Sequence, residues 1–344
     1  MKRLIGLLLI LLVVGYGCSR AYDWVNYQVD TPVGSNAQVV AFKVTPGEGT
    51  DSIADDLVNK GLIRDPSVFR YYLKYTGQGS NIQAGDYSLN KGMTLRQIVE
   101  ALQHGRAEQV SVTLPEGYPY KLMAQQVEQA GVASAADYLA AAKDPAWASQ
   151  YDFLSGRPPG ADLEGYLFPS TYSLNKGATA RDLVKTQLDE FGKQFPATLR
   201  AQAGQPTGVR PAESVFNIVI LASMVEREVN QATDRPKVCG LYYNRLKIGM
   251  PLQVDATILY AEGVWKKSVL FEDLKINSPY NTYTNPGLPP GPIANPGADA
   301  IKACVNPDNN NYLYYFSDSK GVTHFESSFD QFRQDQAKFG VYGQ

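Results

Sequence analysis

The stretch from Glu213 to Asn230, ESVFNIVILASMVEREVN, constrains this chain more than any other. Wound at 3.6 residues per turn, Val215, Phe216, Ile218, Val219, Ile220, Leu221, Met224, Val225 and Val229 surround nearly the whole circumference. That pattern predicts a helix enclosed by other elements. Charge follows directly on the apolar run. Glu226 has Ala222, Ser223 and Asn230 as its one-turn neighbours, whereas Glu228 stacks on the bulkier Met224 and Val225. Small neighbours leave room beside Glu226. A carboxyl held against an apolar wall resists ionisation, so it can keep its proton near neutral pH and act as a general acid. The same residues also allow a buried ion pair of Glu226 or Glu228 with Arg227, Arg235 or Arg245. The helix alone leaves both readings open.

A chain of 344 residues with 44% hydrophobic and 11% aromatic content supports two or three packed domains. Its net charge of -2 carries no basic excess, which speaks against a nucleic-acid partner. The 22 tyrosines favour carbohydrate contact instead. His104 and His324 lie far apart, and Cys18, Cys239 and Cys304 form no CxxC or Cys/His cluster, so neither a metal site nor a cofactor is expected.

Met1-Lys2-Arg3 and the apolar run from Leu4 to Gly17 read as an N-terminal membrane anchor or signal over residues 1–20. The run is short for a membrane span, which needs about 17 to 25 residues. Gly15 stands where lipoprotein processing at Cys18 normally has an aliphatic residue, so lipidation is the weaker option. Residues 21–38 read as a polar tether.

From Val39 the pattern becomes strand, helix, helix, strand, helix. The alternation through Val44 predicts a strand, Thr50 a helix cap with Asp51 and Asp55 behind it, and Gly61 the helix end. Asp65-Pro66 opens a second helix, Gly85 to Asn90 reads as a strand, and Thr94 with Gln97 forms a capping box. This αβ module, residues 39–106, resembles a LysM module, a small glycan-binding fold; a spacer function is the alternative. The boundary falls near Ala107. The remainder, 107–344, begins with a strand at Val110, Val112 and Leu114, then helices at Tyr120–Ala130, Ser134–Ala142 and Thr179–Phe195.

Beyond Arg235 come RPKVCGLYYNRLKIGMPLQVDATILYA, SPYNTYTNPGLPPGPIANPGADAIKA and YLYYFSDSKGVTHF. With LASMVERE before them, these long ordered pieces resemble the YceG-like family of endolytic murein transglycosylases. The resemblance runs from about Val44 to Phe329. It implies an α+β protein: an N-terminal membrane anchor, a LysM-like αβ module and a mixed α+β catalytic domain. It further implies a lyase in the periplasm, held by a single pass in the inner membrane, that cuts peptidoglycan glycan strands internally. Peptidoglycan synthases would be candidate protein partners. Glu226 stands at the position of the family's catalytic glutamate.

Glycosidic cleavage needs a proton for the leaving oxygen and a nucleophile for the anomeric carbon. A lytic transglycosylase manages with one carboxyl, because the C6 hydroxyl of the same muramic acid closes onto that carbon and leaves a 1,6-anhydro ring. Gln253 and Asp255, two apart in an extended segment, read as sugar ligands, with a helix cap as the alternative for Asp255. Asn244 suits an N-acetyl group and Arg245 a carboxylate. Tyr280 and Tyr283 offer faces for sugar rings, with Asn281 and Thr282 as polar tips of a rigid loop. Glu164 and Tyr166, in ADLEGYLFPSTYSL, are placed near the groove by the resemblance. A hydrolytic muramidase using Asp255 or Glu228 as second carboxylate, and a non-catalytic glycan-binding scaffold, are the alternatives. Cys239 and Cys304, in an exported domain, could pair, but the sequence fixes no distance between them.

Overall fold

The computed structural model describes residues 2–35, 39–103, 109–175, 177–229, 231–266 and 268–341. His104, Asn230 and the boundary expected near Ala107 lie outside these. The chain forms two compact units, Met1–Gln109 and Val110–Gln344.

The first unit contains α1 (Lys2–Asp30), β1 (Val39–Val44), α2 (Thr50–Asn59), α3 (Pro66–Thr76), β2 (Gly85–Asn90) and α4 (Leu95–Gln103). Strands β1 and β2 pair antiparallel from Val39 opposite Asn90 to Val44 opposite Gly85. Their period-2 alternation turns Phe42, Val44, Tyr87 and Leu89 onto Ile53, Leu57, Phe69 and Ile98 of the helices. The capping box forms as expected: Thr94 N–H donates to Gln97 Oε1 (2.9 Å) and Gln97 N–H to Thr94 Oγ1 (3.2 Å). Asp65 likewise caps α3 through the Ser67 amide (2.7 Å). The cap expected at Thr50 does not form. Gly49 takes the cap position, and the Glu48 carboxylate accepts from Thr45 N–H (2.8 Å) and the Ser52 hydroxyl (2.9 Å).

Residues 21–30, expected within a polar tether, are helical. Val29 joins the hydrophobic core and Asp30 pairs with Arg96 of α4 (3.0 Å), so packing extends the helix beyond what composition suggests. Among the described residues, no helix is long and apolar enough to cross a membrane.

The second unit contains β3 (Gln109–Leu114), α5 (Tyr120–Gln129), α6 (Ala135–Ala142), β4 (Ser170–Asn175), α7 (Ala180–Gln194), α8 (Ala197–Ala203), α9 (Val215–Glu228), α10 (Arg235–Lys247), α11 (Asp255–Glu262), α12 (Ala298–Val305), β5 (Tyr314–Ser317), β6 (Thr323–Glu326) and α13 (Phe329–Phe339). Pairs β3–β4 and β5–β6 are two-stranded sheets. Every residue from Ile218 to Val225 is buried, and α8, α10, α11 and α12 all pack on α9. The all-round apolar pattern of the sequence is therefore the signature of this enclosed helix.

Two features fasten the elements around α9. A disulfide joins Cys239 of α10 to Cys304 of α12, with Cα atoms 5.3 Å apart. Arg210, fully buried in the segment before α9, donates to the carbonyls of Gln202, Ala203, Gln205, Pro211 and Val305, so this polar linker is pinned. His324, expected on a solvated strand face, is half-buried against Phe316 and Phe339 and pairs with Asp318 at 3.1 Å.

Candidate active site

Glu226 lies in the last turn of α9, where the enclosed part of the helix ends. Its Oε1 accepts from Arg235 Nη2 (2.7 Å) at the start of α10, and its Oε2 from the Gly297 amide (3.0 Å) before α12. The Glu226 side chain is 5% exposed and that of Arg235 10%, so the pair is almost dry. The buried ion pair that the sequence allowed is formed, with Arg235 as the partner. Burial raises the carboxyl above its ordinary value, with a further push from Glu116 and Asp299, against the lowering influence of Arg235 and the Gly297 amide. Desolvation is the largest of these influences, so the net shift is upward although a cation is in contact.

A loop from Leu114 to Tyr118 lies against this carboxyl. Gly117 is in the left-handed region, φ 74°, and a methyl group built on its α-carbon would lie 3.1 Å from Arg227 Cδ and 3.6 Å from Glu226 Cγ. Asn295 secures the loop: Gly117 N–H donates to Asn295 O (2.9 Å), and Asn295 N–H and Nδ2 donate to Tyr118 O (3.1 and 3.0 Å). The Asn295 side chain also accepts from Leu167 N–H (2.9 Å) and donates to Glu164 Oε1 (2.9 Å). Arg227 lies over the Trp265 ring, 4.1 Å from its centroid, and donates to Gly117 O (3.3 Å).

The structure divides the expected ligands into two sets. Near the start of α11, the Tyr283 hydroxyl donates to Asp255 Oδ1 (2.5 Å), and Gln253, exposed with φ 52°, donates its amide to Thr282 O (3.1 Å). Glu228 lies close to this group, and among the described residues its hydrogen-bond partners differ from those of Glu226. It accepts from the Tyr315 hydroxyl (2.7 Å) and the Ala256 amide (3.4 Å), and burial raises its carboxyl too. Successive even positions on a helix point apart, which explains why the two glutamates serve different surroundings.

The other residues brace the site from within, contrary to the expectation of exposed ligands. Asn281 is buried, donating to the carbonyls of Leu274 and Ile276 (both 2.9 Å) and accepting from Tyr283 N–H (3.0 Å). Thr282 is buried against Val254 N–H (3.0 Å) and the Thr257 hydroxyl (2.9 Å). Asn244 donates to Asn310 O and Tyr312 O (both 3.0 Å), and Arg245 to Leu313 O (2.7 Å) and Leu252 O (2.8 Å). Glu164 accepts from Tyr120 N–H (3.0 Å) and Asn295, while Tyr166 packs on Phe191 in the core. Tyr280 is half-buried against Tyr260, their ring centroids 4.9 Å apart. Backbone of irregular loops must find partners, and these polar side chains supply them.

Sequence reasoning missed Glu116, Gly117, Asn295 and Gly297 as parts of this site. Their only signal was the pair of motifs Pro115-Glu116-Gly117 and Asn295-Pro296-Gly297, each of which reads as a plain turn.

The model of the YceG-like family matches residues 42–338. An endolytic murein transglycosylase of Bacillus subtilis is 33% identical, the alignment covering 87% of this chain and 84% of that protein. One of Streptococcus pneumoniae serotype 2 is 31% identical over 89% of this chain but only 60% of its own length. Among solved structures, a YceG-like protein from Listeria monocytogenes aligns with TM-score 0.58 and 30% identity, over 87% of this chain and 99% of that one. Its likeness covers the mixed α+β architecture with short sheets described above. The chain belongs to the YceG-like family.

Proposed function

We propose that this chain is an endolytic murein transglycosylase, a lyase that cleaves the MurNAc-GlcNAc bond inside peptidoglycan glycan strands, with Glu226 as its acid and base. The observation that carries the assignment is a carboxyl at the end of an enclosed helix, nearly dry, raised by burial, yet held in one orientation by Arg235 and Gly297. Glu226 gives its proton to the glycosidic oxygen, which leaves with the electron pair of the broken bond. The muramyl C6 oxygen then bonds to the anomeric carbon and its proton returns to Glu226. Water is not consumed. The product ends in a 1,6-anhydro ring.

Gln253, Asp255, Tyr280 and Tyr283 supply the outer surface for the glycan in this reading, and Asn244, Arg245, Asn281, Thr282, Glu164 and Tyr166 hold the backbone that presents it. The first unit is read as a LysM-like module, supported by its β1-α2-α3-β2 order with the two strands antiparallel. The N-terminal segment is read as the anchor of a periplasmic enzyme in the inner membrane, supported by its positive start and apolar run.

Glu226→Gln tests the assignment. An amide donates no acid proton, so turnover should fall by about 10²–10⁴-fold, with the fold and strand binding retained. Turnover within a few-fold of the native enzyme in a folded variant would remove Glu226 from its role.

A further inference from the structure

Gly297 touches two acids. Its N–H holds Glu226 Oε2 at 3.0 Å, and a methyl group built on its α-carbon would lie 2.0 Å from Glu116 Oε1. Glu116 rides on the Leu114 to Tyr118 loop, which the bonds between Gly117, Tyr118 and Asn295 fix in place. Yet Glu116 itself is exposed and has no hydrogen bond or ion pair among the described residues. The bonds that secure the loop do not involve the Glu116 carboxyl, which stands beside the peptide that binds the acid.

Resting on the assignment of Glu226, we infer that Glu116 is a second catalytic carboxylate, one that faces the anomeric carbon and stabilises the positive charge growing there as the glycosidic bond breaks. Two carboxyls with contrasting surroundings, one nearly dry and one exposed, fit two different roles. Glu116 forms no bond and moves no proton. The electron pair leaves with the glycosidic oxygen, Glu226 supplies and recovers the proton, and bonding of the C6 oxygen removes the cation.

The charge of Glu116 also reaches Glu226, which gives the role a signature. Facing Glu226 are Arg235 from α10, Asp299 from α12, Glu116 from the loop after β3 and Arg227 from its own helix. Neutralising Glu116 removes a negative neighbour, so Glu226 loses its proton at lower pH. Because Glu226 must be protonated to begin, the high-pH limb of the rate profile moves down.

The test is the pH–rate profile of the full chain on uncrosslinked glycan strands for Glu116→Gln and Glu226→Gln, with thermal melts. Glu116→Gln should fold as the native chain does, lose about 10²-fold in turnover and shift the high-pH limb to lower pH. Turnover within about threefold of native, or a loss with an unmoved limb, overturns the inference. If Glu116→Gln melts abnormally, Gly297→Ala decides by the loss of turnover: at φ -75° the backbone accepts alanine, and the added methyl displaces the Glu116 carboxyl without altering either acid. Full turnover in folded Gly297→Ala then overturns it. An active Glu226→Gln would strike the underlying assignment instead, whereas an inactive Glu226→Gln beside a native-like Glu116→Gln would sink this inference alone.

Discussion

Burial pushes the Glu164 carboxyl well above the usual carboxylate range, although the Tyr120 amide and the Tyr260 hydroxyl donate to it. It links the segment that carries Asn295 to the one that carries Tyr120. Glu164→Ala would leave the Tyr120 N–H and one Asn295 N–H buried without acceptors, so a loss of about 2–4 kcal/mol is expected in denaturant unfolding, with turnover reduced through the slackened Gly117 loop. The sign of the pH effect follows from the raised value. A carboxyl raised by folding contributes its full stability below its unfolded value, near 4.3, and loses it as pH rises through the folded value. Melting temperature should therefore fall toward alkaline pH, more steeply in the native chain than in Glu164→Gln, and parallel slopes would contradict this. At this scale the sequence was legible where burial follows from local pattern: Glu226, directly after the apolar run, is nearly dry. It misled where a polar residue in a loop was read as a ligand: Asn281 and Thr282 satisfy backbone groups, a need that no pattern of neighbouring residues announces.

Helices α9, α10 and α12 together set the surroundings of Glu226. Arg235 opens α10, Gly297 precedes α12, and the Cys239–Cys304 disulfide ties these two helices together further along. The bridge closes a loop of 65 residues, for which chain entropy gives a stabilisation of about 4 kcal/mol. Reduction should move the denaturation midpoint of the second unit well downward and lower turnover, because the partners of Glu226 lose their mutual restraint. Coincident unfolding curves with and without reductant would contradict this. Elements themselves were largely readable. Ser134 and Thr179 cap α6 and α7 where the sequence places those helices, because a cap acts on amides two or three residues away and so leaves a local trace. The disulfide and the extension of α1 to Asp30 depend on contacts with distant residues, Cys304 and Arg96, which leave none.

Across the whole molecule, the described residues form two separate hydrophobic cores, one in each compact unit. The family match spans both, from residue 42 to residue 338. What the chain does to its substrate is recorded in the mass of the product. Attack by the muramyl C6 hydroxyl gives an anhydromuramyl end, lighter by one water than the reducing end left by hydrolysis, and internal cutting gives it on fragments from strand interiors. The most direct measurement incubates the purified protein with crosslinked and uncrosslinked glycan strands and weighs the fragments by mass spectrometry. Anhydro ends on internal fragments, absent with Glu226→Gln, are the expected result; reducing ends, or strands left intact by folded protein, would contradict the account.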